Sequence, residues 1–366
     1  MPVMIRIRTG IVVEVVARRA EAWDLLVEVD GSPASAVAYP SLTGAVEAGD
    51  RVVLNTTAVR LGLGTGGSHF VMAVVGRDTD AEADARVMKL RYTPSQVTVR
   101  TIDELASELP GSLEGTPVVW VPLHSMLAPV AAGAVAAGAR SVAWVMTDGA
   151  ALPAGLSLLS SQLRDAGLVT SVVSTGQAFG GDLEAVTVFS GLLAARHLIG
   201  ADVLVVGDGP GNTGTDTEWG TTAVASALSV HAAQILGGRP VVALRISFAD
   251  PRERHRGVSH HSITALARVV PEQMHVAVPS LEDDEQRRRV WDDLRAAGLH
   301  ERHQLVEATG QPALDVLRDR EVEVRSMGRT VEQDPAFFLA AGAAGILAGR
   351  MAANDRTWRK DAGAAT

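Results

Sequence analysis

The sequence contains no cysteine, which removes disulfides, thiolate metal sites and cysteine nucleophiles together and fits a reducing cytoplasm. Aromatic residues are scarce at 4%, so a large aromatic docking surface is not expected. Basic residues are the minority, 33 against 42 acidic, and the net charge of −9 offers no general attraction to a phosphate backbone. Nucleic acid is therefore not expected as a partner. No continuous apolar run opens the chain: MPVMIRIRTGIVVEVVARRA alternates, Glu14 interrupts the one apolar stretch, and no export signal is read there. What the chain does have is 366 residues, 47% of them hydrophobic and 20% charged, enough to bury a large interior and, by size, to form two domains.

Two apolar stretches invite a membrane reading. Pro117 to Ala139 carries no formal charge, but it contains His124 between two prolines and is rich in alanine and glycine, which suits a buried strand (Val118 to Val121) followed by a tightly packed helix. Pro335 to Gly349 is shorter, stops at Arg350, and is read as another packed helix. No membrane partner is expected.

From Met4 to about Val99 the pattern is period-two and β-branched, broken by turn signals such as Asp30-Gly31 and Gly49-Asp50, and it predicts a small β-barrel-like domain over 1–98. Within it Thr43 to Asn55 reads as a strand pair joined through residues 48–50. GLGTGG, residues 62–67, is read as a flexible corner, with a ligand loop as the alternative, and His69 after it as structural.

Beyond Thr116 strand and helix alternate, predicting an α/β domain over 112–354 and a disordered tail at 355–366. The expected strands are Val118–Val121, Val142–Met146, Leu168–Val173, Val203–Val206, Val241–Ile246, His275–Val278, Gln304–Val306 and Val322–Val324. Helices are expected over Leu183–Ile199, Thr221–Leu236 and Asp283–Ala297, the acids-then-bases run EDDEQRRR being a solvated helix face. A doubly wound parallel sheet is the favoured fold and an eight-unit β/α barrel the alternative; both place ligands at the carboxyl ends of the strands.

The richest segment is RISFADPRERHRGVSHHSITAL, where Arg252, Arg254, Arg256, His255, His260 and His261 fall within ten residues. Three guanidiniums ahead of a helix suit a phosphate or carboxylate, since the arginine fork takes oxyanions in bidentate fashion. His255 or His260 could exchange protons near neutral pH, and Ser259 is an expected N-cap; the alternative is an exposed salt-bridged loop. His260 and His261, being neighbours, point about 100° apart on a regular helix, so no metal motif is read there. GDGPGNTGTDT, starting at Gly207, offers Gly209, Gly211, Asn212 and Gly214 as a glycine-rich anion loop after Asp208. Its match to the dinucleotide pattern is discounted, because a proline fills the first variable position and no acid ends the next strand. Asp182, read at a helix start with Glu184, is either a cap or a residue that, like Asp208, orients a histidine or a metal. His197, His231, His275, His300 and His303 have no motif around them and are read as structural.

TGGSHF, FGGDLEAVT, GDGPGNTGT and RISFADPRERHRGVSHHSITAL together resemble a bacterial family catalogued as a domain of unknown function, DUF3866, over nearly the whole chain. The resemblance implies a cytoplasmic bacterial protein and assigns no activity, cofactor or catalytic residue. The residues themselves point to a hydrolase or transferase acting on a small phosphorylated or carboxylated molecule. Arg252, Arg254, Arg256 and the loop amides would bind the anion, and His255 or His260 would act as acid or base. The other reading is a non-catalytic binding or homo-oligomeric assembly protein.

Overall fold

The computed structural model describes residues 4–19, 21–63, 66–80, 85–105, 109–150, 152–270 and 272–363, with side chains given as far as Asn354. The chain divides into two compact units, Met1–Arg100 with Ala151–Leu156, and Thr101–Ala150 with Ser157–Thr366.

The first unit holds a closed barrel in the order β1-β2-β3-β5-β4, formed by β1 (Ile7–Arg18), β2 (Trp23–Val29), β3 (Ser32–Ala38), β4 (Arg51–Asn55) and β5 (His69–Val74). The long β1 pairs with both β2 and β4, and register shifts after Val12 and after Val15 let it bend between them. Val12, Leu25, Val27, Val52, Leu54 and Val71 fill the interior, the inward half of each alternating strand. Of the strand pair expected over Thr43–Asn55 only β4 forms; Gly44 and Gly49 both take positive φ and break the first half. A two-stranded ribbon of β6 (Val87–Lys89) and β7 (Val97–Val99) completes the unit. His69 is buried, while residues 64 and 65 of the GLGTGG stretch lie outside the described residues.

The second unit alternates strand and helix: β8 (Pro117–Trp120), α1 (Leu127–Ala136), β9 (Val142–Thr147), α2 (Leu158–Asp165), β10 (Ser171–Ser174), β11 (Leu183–Glu184), α3 (Val188–His197), β12 (Val203–Asp208), α4 (Thr222–Ala227), α5 (Ser229–Ile235) and β13 (Arg239–Ala243). There follow β14 (Ile246–Ser247), β15 (Gly257–Val258), α6 (His260–Thr264), β16 (His275–Pro279), α7 (Asp284–Ala296), β17 (Gln304–Ala308), α8 (Gln311–Asp319) and α9 (Pro335–Gly363). Eight strands form one all-parallel sheet in the order β11-β10-β9-β12-β8-β13-β16-β17, open at both edges; β14 and β15 make a separate antiparallel pair. The open sheet, rather than the closed barrel, is the form adopted.

Central strands such as Val118–Trp120 and Val203–Val206 are fully buried, which is why they read as unbroken apolar runs. Helices α1, α8 and α9 pack on one another, and α3 packs on α5. The α1–α9 contact depends on missing side chains: a Cβ on Gly133 would strike the carbonyl of Gly342, and one on Gly345 the carbonyl of Val130. Helix α9 is long and apolar enough over Pro335–Asn354 to cross a membrane, yet 78% of that stretch is buried within the protein. It continues to Gly363, through most of the segment expected as a tail; residues 364–366 lie outside the described residues.

Two expected elements differ. Val322–Val324 is extended but pairs with no strand, and its two valines are buried against loop and helix instead. The eighth strand is β11, within what reads as a helix from Leu183; α3 begins five residues later, capped by Thr187, whose hydroxyl accepts from the Ser190 amide.

The order of the sheet fixes where a ligand belongs. From β8 the chain crosses to β9 on one side, and from β12 it crosses to β13 on the other, so the adjacent strands β12 and β8 flank the point where the winding reverses. In open parallel sheets such a reversal is where the loops leaving the carboxyl ends part and where a ligand is expected.

Candidate functional site

Asp208 ends β12 at this switch point. Its buried carboxylate accepts from the Thr147 hydroxyl at 2.5 Å, at the end of β9, and from the Asn212 amide at 3.2 Å. Gly149 makes room, since a Cβ there would lie 2.5 Å from the carboxylate. Burial raises the Asp208 carboxyl above its usual range, opposed by the hydroxyls of Thr147 and Thr222. Asn212 then turns its Oδ1 to the His124 backbone amide beyond β8, 3.1 Å away, and the amide of Thr213 donates to Thr222 Oγ1. The Thr215 amide donates to the carbonyl of Gly220. The glycine-rich loop is thus held at Asn212, Thr213 and Thr215. Asp208 and Asn212 serve to set its path.

The loop's far end meets the histidine segment. A Cβ on Gly214 would sit 2.8 Å from His261 Cε1, and the neighbouring Thr215 backbone favours a proton on the His261 ring. The two segments, far apart in sequence, do converge as expected.

His255, His260 and His261 form a compact trio. Each offers one ring nitrogen, and the three nitrogens lie within 4.8 Å of one another. Ring centroids stand 4.0 Å apart for His260 and His261, 5.0 Å for His255 and His260, and 5.2 Å for His255 and His261. His255 and His261 are buried, and His260 is half-buried. His255 Nδ1 meets Ser259 Oγ at 2.8 Å, while Nε2 of both His260 and His261 is buried with no hydrogen-bond partner among the described residues. Burial holds His255 down at about 3, helped by Arg245 and Arg252; burial and then His260 hold His261 at about 4. His260 is lowered too, by burial and then Arg254. All three are neutral imidazoles at neutral pH.

The convergence of His260 and His261 overturns the expectation that neighbours must diverge. Divergence holds in the middle of a regular helix, whereas these are the first two residues of the five-residue α6, entered from extended backbone at Ser259 and followed by a π turn at Ala265–Val269. With no preceding turn to crowd them, their rings swing together. Ser259 occupies the N-cap position, but its hydroxyl serves His255 and makes no cap bond.

Beside the trio lies a buried ionic network. Asp250, its side chain fully buried, receives Arg252 in a fork and Arg245 Nη2 at 3.1 Å, with Arg329 Nη2 at 3.6 Å. Arg329 also pairs with Asp334, which accepts from the Ser247 hydroxyl at 2.6 Å. The Arg252 hydrogen bonds hold the Asp250 carboxyl far below the usual carboxylate range, while burial brings Arg245 down to about 10. Three guanidiniums face two carboxylates here, so one positive charge is left over.

The arginines therefore do not form the open anion receptor expected of them. Arg252 is committed to Asp250. Arg254 pairs with the exposed Asp216 on the glycine-rich loop, leaving its buried Nε without a partner among the described residues. Arg256 is exposed and makes no ion pair among the described residues. Asp182 is elsewhere: it accepts from the Val172 amide and pairs with Arg164 at 2.8 Å, beside edge strand β11. Five strand spacings separate β11 from β13, about 24 Å at 4.8 Å each. Asp182 neither caps a helix nor reaches the trio.

The sequence alone gives no site role to Thr147, Asp250, Arg329 or Asp334. Nothing local marks Arg329 and Asp334 as partners of residues some eighty positions earlier. A cavity of about 500 Å³ under α8, lined by Leu314, Leu317, Val322, Val324 and Leu339, contains none of these site residues.

A family model described as "Protein of unknown function (DUF3866)" matches residues 35–345. No curated protein matches the chain.

Proposed function

We propose that this chain, which belongs to the DUF3866 family, is a hydrolase or transferase acting on a small phosphorylated or carboxylated molecule at the carboxyl ends of its parallel strands. One observation carries the reading: three neutral imidazoles, two of them with buried and unpartnered Nε2 atoms, stand beside a surplus guanidinium charge. Buried polar atoms are normally satisfied, and those left open at a crevice are kept for a ligand or a reacting group. In this reading His260 and His261 present lone pairs to the reacting centre, and His255 completes their wall. Arg254, whose one ion-pair partner among the described residues, Asp216, is exposed to solvent, takes the anionic group, with Arg256 at the rim. Asp208 and Asn212 hold the loop that seats His261. A cytoplasmic location goes with the reading.

The second reading, a non-catalytic or homo-oligomeric assembly protein, draws on the pairing of Arg252 and Arg254 with acids. It leaves the open imidazole nitrogens without a use. The deciding experiment is thermal shift with a panel of phosphorylated and carboxylated metabolites, repeated on Arg254→Ala and Arg256→Ala. Stabilisation by at least one ligand, lost in Arg254→Ala, is expected. No stabilisation across the panel, or stabilisation unchanged by both substitutions, overturns the proposal.

A further inference from the structure

The structure assigns a divalent transition-metal site to His255, His260 and His261, with a fourth position taken by an anion. Three imidazoles from one short segment are a complete protein ligand set for a catalytic metal, which keeps one coordination position open for water or substrate. Imidazole nitrogen suits zinc and its first-row neighbours, and the chain has no thiolate to compete.

The outer contacts are those a metal site needs. His255 Nδ1 is engaged by the Ser259 hydroxyl, so its Nε2 is the atom left to bind. In His261 it is Nε2 that is buried with no partner among the described residues, and the neighbouring Thr215 backbone favours a proton on the ring. Hydrogen-bonding one ring nitrogen fixes the tautomer and aims the other, the usual support of a ligating histidine. His260 Nε2 is buried and open as well. In a tetrahedral site with 2.0–2.1 Å bonds the nitrogens stand about 3.4 Å apart, so the rings, now within 4.8 Å, close by up to about 1.4 Å on binding.

The neighbouring charge sets the fourth ligand. Arg245, Arg252 and Arg329 exceed Asp250 and Asp334 by one positive charge, and Arg254, paired with Asp216, also acts on His260. Three neutral imidazoles leave a divalent ion at its full charge, so in this field it requires an anionic partner: hydroxide, phosphate or a carboxylate. Metal and anion then bind with positive cooperativity, each raising the other's affinity by the same factor.

The inference shares its histidines with the proposed function, but it is tested without turnover. Chelator-stripped full-length protein is titrated with Zn²⁺ by calorimetry, and with Co²⁺ by visible absorption, in the presence and absence of inorganic phosphate. One equivalent per chain is expected, with a four-coordinate Co²⁺ spectrum and an affinity that phosphate raises at least tenfold. His260→Ala and His261→Ala should each lower the affinity a hundredfold or more; circular dichroism and melting of the stripped variants establish that they are folded. Should a variant not fold, the Co²⁺ spectrum of the wild-type chain decides. Absence of stoichiometric binding, a six-coordinate Co²⁺ spectrum, or equal affinity in folded His260→Ala overturns the site. Stoichiometric metal without any response to phosphorylated or carboxylated ligands sinks the proposed function and leaves the metal site standing. Ligand binding that persists with the chelator present sinks the metal's part in it alone.

Discussion

Arg252 lies flat on the carboxylate of Asp250, its Nε 2.9 Å from Oδ1 and its Nη2 2.8 Å from Oδ2. Arg245 takes the same carboxylate from the buried side. A single fully buried acid therefore pairs with two guanidiniums and, more distantly, with Arg329. Removing it leaves Arg245 charged and buried with no counterion of comparable closeness. Asp250→Asn is expected to lower the unfolding free energy by about 3–5 kcal/mol, the usual cost of stranding a buried charge. Urea unfolding checks it; a loss under about 1 kcal/mol would mean the network contributes little.

His124 gives the protein a pH dependence of known sign. Burial holds its imidazole at about 4, its Nε2 meets Ser157 Oγ at 2.8 Å while its Nδ1 has no partner among the described residues, and its ring packs at a tilt against Trp144, 5.0 Å between centroids. Its folded value lies below the unfolded value near 6.5, so the stability it contributes is present above pH 6.5 and is lost as pH falls toward 4. The unfolded chain takes the proton first. His124→Phe keeps the ring packing and removes the titration. Over that window the wild type should lose on the order of 3 kcal/mol more than the variant, at 1.36 kcal/mol per unit. Parallel slopes from denaturation at stepped pH would refute this.

Gly214 bears on the trio through the one atom it lacks. A Cβ there would come within 2.8 Å of His261 Cε1, so Gly214→Ala has to turn the ring away from Thr215 and from its two neighbours. Its φ is not in the left-handed region, so little backbone strain accompanies the change. Zn²⁺ affinity is expected to fall tenfold or more, with a stability loss under about 1 kcal/mol. Unchanged affinity would show that the loop does not position His261.

Much of the second unit was legible because its central strands are covered on both faces, as at Val203–Val206, and such strands can be nothing but apolar. Val322–Val324 shows the limit: two buried valines in extended chain look the same whether or not another strand lies alongside, and pairing is decided by distant residues. Leu183–Glu184, two residues long, is too short to show any period. At the site, the residue types of 252–261 were readable but their pairing was not. Arg252 finds Asp250 two residues back, Arg254 finds Asp216 far up the chain, and only the folded loop decides which guanidinium stays available.

Asp182 tests that distinction. It was read as a possible site acid from its Gly-Gly approach, yet it holds the Val172 amide and Arg164 at the sheet edge. Asp182→Asn should leave both metal affinity and ligand-induced stabilisation within twofold of wild type. The half-exposed ion pair contributes under about 1 kcal/mol to stability. A large functional loss in a variant that melts normally would return Asp182 to the site.

The packing of α9 on α1 makes the most local demand of any contact in the second unit. Gly345 sits where a Cβ would collide with the Val130 carbonyl, and Gly349 where one would lie 2.5 Å from the carbonyl of Ala134. Neither obstacle is a flexible side chain, so the helices must move apart to admit a methyl group. Separation would open the interface along Leu127, Val130, Ala131 and Ala134, all fully buried. Gly345→Ala gains helix propensity worth up to about 1 kcal/mol, and overpacking costs about 1–3 kcal/mol. A net loss is expected, reaching the upper end of that range in Gly345→Val, where the side chain is larger and the propensity gain smaller. Thermal melts of the two variants order the effects: a destabilisation that grows from alanine to valine supports close backbone packing. Stabilisation by alanine would mean that α9 lies farther from α1 than its glycines indicate.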